Sequence, residues 1–93
     1  MRRLRIPDGV AALIRGLHPD LKRRVRFALG DILADPEIGK PLRDELAGLR
    51  SCRVSRFRIV YRINRNAIDI VAVGPRRTIY RETWRRVRSR SSS

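Results

Sequence analysis

The chain has 93 residues, with 23 Lys and Arg against 9 Asp and Glu, a formal net charge of +14 and a pI near 11.8. A hydrophobic fraction of 42 % is too high for a disordered basic tail and leaves room for one modest core, so composition predicts a single folded domain with a charged surface. No apolar run reaches the roughly 18 residues of a membrane span, the basic start lacks the apolar core of a signal peptide, and the lone Cys52 excludes an internal disulfide or a Cys-cluster zinc site, so the expected compartment is the cytoplasm.

In chain order, Arg2–Ile6 reads as a short strand closed by Pro7. Asp8 is placed to cap a helix whose apolar stripe is Val10, Leu13, Ile14 and Leu17, spaced i, i+3, i+4, i+7. His18-Pro19-Asp20 is a break, with Pro19 suited to the first turn of a second helix. That helix carries Leu21, Val25, Ala28, Leu29, Ile32 and Leu33 on one face and stops before Pro36. Asp35–Pro41 reads as a loop, and Leu42–Leu49 has a weak helical pattern. From Ser51 the period changes: Ser51–Val54, Phe57–Asn64 and Ala67–Val73 read as three strands joined by tight turns. After Gly74-Pro75 a helical stripe returns with Tyr80, Trp84 and Val87. The expected fold is α+β, in the order β-α-α-β-β-β with a short closing helix. A helical hairpin packs on a mainly antiparallel sheet, residues 1–88 form one domain, and 89–93 form a frayed basic and Ser-rich tail.

The charge is unevenly placed. Residues 1–48 carry 10 basic and 7 acidic side chains, a balance of +3, whereas residues 49–93 carry 13 basic and 2 acidic, a balance of +11. Such a half repels itself unless an anion is near, so nucleic-acid phosphate or an acidic protein is the natural partner. Of the 23 cations 21 are Arg, whose planar fork grips phosphate bidentately.

Short turns fix the strand register. A Ser55-Arg56 turn pairs Val54 with Phe57 and sets Arg53 opposite Arg58. An Arg65-Asn66 turn pairs Ile63 with Ile68, Tyr61 with Ile70 and Ile59 with Ala72 on one face; it pairs Arg62 with Asp69, Val60 with Val71 and Arg58 with Val73 on the other. Arg53, Arg58 and the end of the third strand, followed by Arg76, then form a row. Opposed arginines destabilise a sheet unless an anion relieves them, so the row is a candidate phosphate site; the alternative is that the side chains splay into water.

The inventory narrows the chemistry. A two-metal nuclease needs clustered carboxylates, but the basic half offers only Asp69, which faces Arg62 as its expected partner, and Glu82. A histidine-pair ribonuclease is excluded by the single histidine, His18, which reads as a turn residue. Cys52 reads as a small core filler. Cleavage of RNA without metal or cofactor needs only a protein that orients the 2′-OH, moves a proton and stabilises charge on phosphorus. Tyr80, just past Arg76 and Arg77, is a candidate proton carrier or stacking platform; equally, it forms a packing stripe with Trp84 and Val87.

The ordered motifs Leu17-His18-Pro19-Asp20-Leu21-Lys22-Arg23-Arg24, Asp35-Pro36-Glu37 and Gly39-Lys40-Pro41-Leu42 resemble the RelE/ParE toxin superfamily of bacterial type II toxin–antitoxin systems. The later stretches Leu49-Arg50-Ser51-Cys52-Arg53-Val54, Phe57-Arg58-Ile59-Val60-Tyr61-Arg62-Ile63 and Ile70-Val71-Ala72-Val73-Gly74-Pro75-Arg76-Arg77, with Ile79-Tyr80, resemble its RelE branch. The resemblance implies a RelE-like fold and a toxin that enters the ribosomal A site and cuts mRNA there by 2′-OH attack, leaving a cyclic phosphate. By motif, Arg58 contacts the scissile phosphate, Arg76 stabilises the transition state or acts as acid, and Tyr80 stacks on the substrate and assists activation of the 2′-OH. Arg53 and Ser55 stand where the well-studied branch has lysines, so no lysine is present to act as base. Arg53, Ser55, Arg56 and Arg77 are the expected substrate- and phosphate-binding residues.

The implied partners are an acidic cognate antitoxin, the ribosome and mRNA, with operator DNA contacted only through the antitoxin complex and no membrane contact. Two other readings stay open: a ParE-like inhibitor of DNA gyrase, and a non-catalytic RNA-binding or degenerate toxin.

Overall fold

The computed structural model describes residues 2–91. Its elements run β1 (Arg3–Arg5), α1 (Asp8–Arg15), α2 (Pro19–Ala34), β2 (Lys40–Pro41), β3 (Arg50–Val54), β4 (Phe57–Ile63), β5 (Ala67–Pro75) and α3 (Ile79–Ser91), with short 3-10 turns at Pro36–Ile38 and Asp44–Leu46. The sheet has five strands in the order β1-β5-β4-β3-β2. β1 runs parallel to β5 and every other pair is antiparallel. The α+β fold is therefore the one the sequence predicts, except that the closing helix continues to Ser91, into the expected tail whose last two residues lie outside the described ones, and with two further adjustments. The weak helical pattern after Pro41 is only a 3-10 turn, and Lys40–Pro41 adds an edge strand that two residues are too few to announce.

Local chemistry explains the helix ends. Asp8 is the first helical residue of α1 rather than its cap: Pro7 precedes the helix, no side chain caps it, and the carboxylate sits in the positive first turn. His18 acquires a role that its isolation in the sequence hid. Its Nδ1 accepts a hydrogen bond from the backbone N–H of Asp20 at 3.3 Å, capping α2, and Pro19 starts the helix.

Both faces of the sheet are covered. Under α1 and α2 lies the main core of Val10, Ile14, Val25, Leu29, Ile32, Val54, Ile59, Tyr61, Ile68, Ile70 and Val73, with half-buried Cys52 packed against it as a filler. Burial pushes the Cys52 thiol pKa up, and nearby Asp31 adds to this. Under α3 lies a smaller cluster of Leu49, Val60, Ala72 and Ile79. Tyr61 is fully buried; its hydroxyl donates to the Pro36 carbonyl at 2.6 Å and accepts from the Gly39 N–H at 2.9 Å. A Cβ on Gly39 would lie 2.7 Å from Cε1 of that ring, so only glycine lets the loop close over it.

The expected register holds for Ile63–Ile68, Arg62–Asp69 and Tyr61–Ile70, then slips by one residue at a β-bulge between Val60 and Tyr61. Val60 pairs with Ala72, Ile59 with Val73 and Arg58 with Gly74, in place of Val71, Ala72 and Val73. Val73 thereby joins the main core, while Val71 and Ala72 pack with the α3 cluster. The run Ile70-Val71-Ala72-Val73 is apolar throughout, so no alternation marked the bulge.

Asp69 sits opposite Arg62, but Arg5 holds it rather than Arg62. Arg5 Nε and Nη2 reach the two carboxylate oxygens at 2.6 and 3.0 Å, and Asn64 Nδ2 adds a further hydrogen bond. The parallel pairing of β1 sets Arg5 beside Asp69, a contact between residues 64 apart in the chain that local spacing cannot foretell.

Candidate functional site

The site is built where β3, β4 and the start of α3 meet. The two-residue turn Ser55-Arg56 joins β3 to β4 and sets Arg53 directly opposite Arg58, as the spacing requires. Ser55 has φ +56, and positive φ at the first central residue alone is the mark of the II′ turn class that suits a twisted hairpin. At the far end of β4's partner, the Arg76 N–H donates to the Arg56 carbonyl at 2.9 Å, so the turn into α3 is tied to the β3–β4 turn. Gly74, opposite Arg58, carries no side chain; a Cβ there would stand 3.0 Å from Cδ1 of Ile79 and 3.7 Å from Oε2 of Glu82. Its absence lets α3 settle on the sheet and brings Tyr80 over β3.

Arg58 is half-buried and its guanidinium is drawn inward. One terminal nitrogen donates to Ser51 Oγ at 3.4 Å, and Cζ lies 5.9 Å from the centroid of the Tyr80 ring, a cation–π distance. Its Nε is buried and, among the described residues, has no acceptor. The Tyr80 hydroxyl donates to the same Ser51 Oγ at 3.1 Å. Arg58 and Tyr80, drawn from a strand and a helix 22 residues apart in sequence, thus share one hydroxyl.

Arg53 lies exposed beside Arg58, its Nε reaching the Ser55 carbonyl at 3.5 Å. Arg76 and Arg77 are exposed in the turn before α3. Ser55 and Arg56 occupy the hairpin turn and also border a hollow of about 340 Å³ with His18, Leu21, Arg24 and Phe57. The structure therefore links Arg53, Arg58 and Tyr80 through register and side-chain contact, and Arg76 and Arg56 through a backbone hydrogen bond. Ser55 is placed by the turn and Arg77 by the segment that follows β5.

Among the described residues, no ion pair within 4.0 Å joins Arg53, Arg56, Arg58, Arg76 or Arg77 to a carboxylate. Five arginines gathered at one end of a sheet and unpaired with any described carboxylate form a surface suited to phosphate. A cleft of about 890 Å³ lies at the other end of the α3 face against Arg5, Leu49, Arg62, Asp69, Val71 and Arg86, and holds none of these five arginines. The cleft and the arginine cluster thus lie at different ends of that face.

Sequence reasoning missed Ser51. The strand pattern marked it only as the start of β3; the signal available was its alternation with Arg53, which puts the two on one face. The stripe of α3 also differs from expectation. Ile79 and Thr83 are fully buried, with the Thr83 hydroxyl donating to the Ile79 carbonyl at 2.7 Å, whereas Trp84 is half-exposed under Arg88 at 5.0 Å. Tyr80 and Val87 do pack against the cluster. The helix is rotated by about one residue from its most apolar face, which frees the Tyr80 hydroxyl to meet Ser51.

Comparison with known proteins agrees with this architecture. Residues 11–80 match the model of the ParE toxin family of the type II toxin–antitoxin system parDE. Over 60 residues the chain is 45 % identical to toxin RelG of Mycobacterium tuberculosis, covering 61 % of this chain and 69 % of that one. Over 80 residues it is 34 % identical to toxin RelE of the same organism, covering 83 % and 72 %. A crystal structure of the M. tuberculosis RelBE2 toxin–antitoxin complex superposes with a TM-score of 0.70 at 34 % identity, over 81 % of this chain and 98 % of that one. With the family match, the RelE and RelG relatives and the shared fold together, this chain belongs to the RelE/ParE superfamily of type II toxin–antitoxin toxins, on its RelE side.

Proposed function

We propose that this protein is a cytoplasmic, ribosome-dependent endoribonuclease that cuts mRNA in the A site and is held inactive by an acidic cognate antitoxin. The observation that carries the reading is the half-buried Arg58 set against Tyr80, its Nε without an acceptor among the described residues, within an arginine cluster that forms no ion pair with a described carboxylate. In the proposed reaction the substrate's 2′-oxygen attacks phosphorus, the bond to the 5′-oxygen breaks, and a 2′,3′-cyclic phosphate and a 5′-hydroxyl result. Arg58 meets the scissile phosphate, and Arg76 meets the charge that develops on it. Tyr80 stacks on the base and assists at the 2′-OH, while Arg53, Arg56 and Arg77 hold flanking phosphates beside the Ser55 turn. Neither metal nor cofactor takes part.

The partner reading rests on charge and on one exposed side chain. Phe27 is 75 % exposed on the outer side of α2, with Arg23 and Arg24 one turn before it. An acidic antitoxin with an apolar anchor fits that chemistry, and operator DNA is reached through the complex.

The test maps mRNA 5′ ends on translating ribosomes with purified protein and with Arg58→Ala. New ends inside A-site codons, lost in the variant while antitoxin binding persists, are the expected result; intact mRNA with the folded wild-type protein overturns the assignment. The ParE family match favours a second reading, inhibition of DNA gyrase. DNA-damage signalling on induction, with mRNA intact, is the outcome that selects it.

A further inference from the structure

Ser51 is a polar side chain that the reaction scheme leaves unused. It is 3 % exposed and lies opposite Val60, a member of the apolar α3 cluster. A hydroxyl in such a place is unfavourable unless it is hydrogen-bonded, and an alanine would occupy the position without that demand. Ser51 Oγ accepts from Tyr80 at 3.1 Å and from Arg58 at 3.4 Å. A serine oxygen has two acceptor positions, and both are filled. The two donors arrive from separate elements, Arg58 from β4 and Tyr80 from α3, and β3 supplies the atom common to them.

The geometry leaves Arg58 with few other restraints. Its Nε has no acceptor, and the remaining contact is the 5.9 Å approach to the Tyr80 ring. Without the Ser51 hydroxyl, neither the phenolic oxygen nor the guanidinium has a fixed polar neighbour on the sheet. We infer that Ser51 is a positioning residue of the nuclease site: its buried hydroxyl sets the Tyr80 oxygen and the Arg58 guanidinium at a fixed separation, so that one meets the 2′-OH as the other meets the phosphate. The role rests on the nuclease reading above. Ser51 lies beneath the two groups and acts through them.

A double-mutant cycle tests it, with ribosome-bound mRNA cleavage measured for wild type, Ser51→Ala, Tyr80→Phe and the pair. Misplacing reactive groups by about an ångström slows such reactions by roughly 100-fold, so Ser51→Ala should lower kcat about 10- to 100-fold with KM for ribosomes within about twofold. In the Tyr80→Phe background, where the Tyr80 contact is already gone, the same change should cost clearly less than in wild type, because only the Arg58 contact is left to lose. Ser51→Thr, which keeps a hydroxyl, should recover most of the rate; the cycle decides even where the added methyl is not accommodated. Equal losses in both backgrounds mean that Ser51 does not act through Tyr80 and overturn the inference. So does an active wild type with Ser51→Ala at full rate, which leaves the nuclease reading standing. A folded wild type that leaves mRNA intact overturns both.

Discussion

The two faces of the sheet bury their side chains for different ends. Under α1 and α2, Val25, Ile32, Ile59, Tyr61 and Ile68 are fully buried, and the single polar tip among them, the Tyr61 hydroxyl, is satisfied by backbone. Under α3 the apolar cluster has only Leu49, Val60, Ala72 and Ile79 at its centre, and the face continues into Ser51, Arg58 and Tyr80. A closed apolar layer fixes the strands, and the half-apolar layer spends its remaining area on a polar network and on opposed arginines. On the proposed reading, function falls on the face that is the poorer core, because a guanidinium held for an external anion is a local conflict that only a rigid opposite face can sustain.

Like-for-like substitutions can break that comparison. Ile59 and Ile79 are both fully buried, one on each face. Ile59→Ala should cost about 3–5 kcal/mol, since the main core cannot collapse around the hole, whereas Ile79→Ala should cost about 2 kcal/mol as α3 shifts to fill it. Chemical denaturation measures both. On the proposed nuclease reading, cleavage should follow the opposite order at temperatures where each variant is folded, with Ile79→Ala the slower variant because Tyr80 moves with the helix. Equal stability losses would mean that α3 is as integral to the core as α2.

Legibility in the sequence divides along the same line. The hairpin of α1 and α2, the tight β3–β4 turn and the Arg53–Arg58 pair all follow from spacing of 3.6 or 2 residues and from Pro and turn residues. The β-bulge lay in a run of four apolar residues and left no trace in the pattern. Asp69's partner came from a parallel strand far away in sequence, and Ser51 gained its importance only when a rotated α3 delivered Tyr80. The pairing of Arg58 with Arg53 was legible from register, but what holds the Arg58 side chain was not, because a diagonal contact to a third element is set by helix docking.

A change of one atom on the closed face sharpens the contrast. Tyr61→Phe leaves the Gly39 N–H and the Pro36 carbonyl without their hydroxyl partner in a buried setting. Burial also holds the Tyr61 proton in place by pushing its pKa up, so the group is a neutral hydrogen-bonding phenol across the physiological range. The variant should lose about 1–3 kcal/mol of stability and no cleavage activity. A loss of activity without a loss of stability would mean that the loop over Tyr61, and not the α3 face alone, serves the reaction.

The smallest effect belongs to the β1 edge, where the Arg5 guanidinium hydrogen-bonded to Asp69 holds that carboxyl below the usual Asp range, with Arg62 and Asn64 helping. The sign follows from linkage: a carboxyl whose folded pKa is depressed adds stability above its unfolded value, near pH 4, and loses it as pH falls through the folded value. Arg5 is 55 % exposed and Asp69 19 %, so solvent and salt weaken the pair. Acid titration of stability should therefore have a shallow limb below about pH 4 that is smaller in Asp69→Asn and in high salt. An unchanged limb in Asp69→Asn would place the acid sensitivity elsewhere and leave β1 held by its parallel backbone pairing and by the packing of Leu4 and Ile6 on the main core.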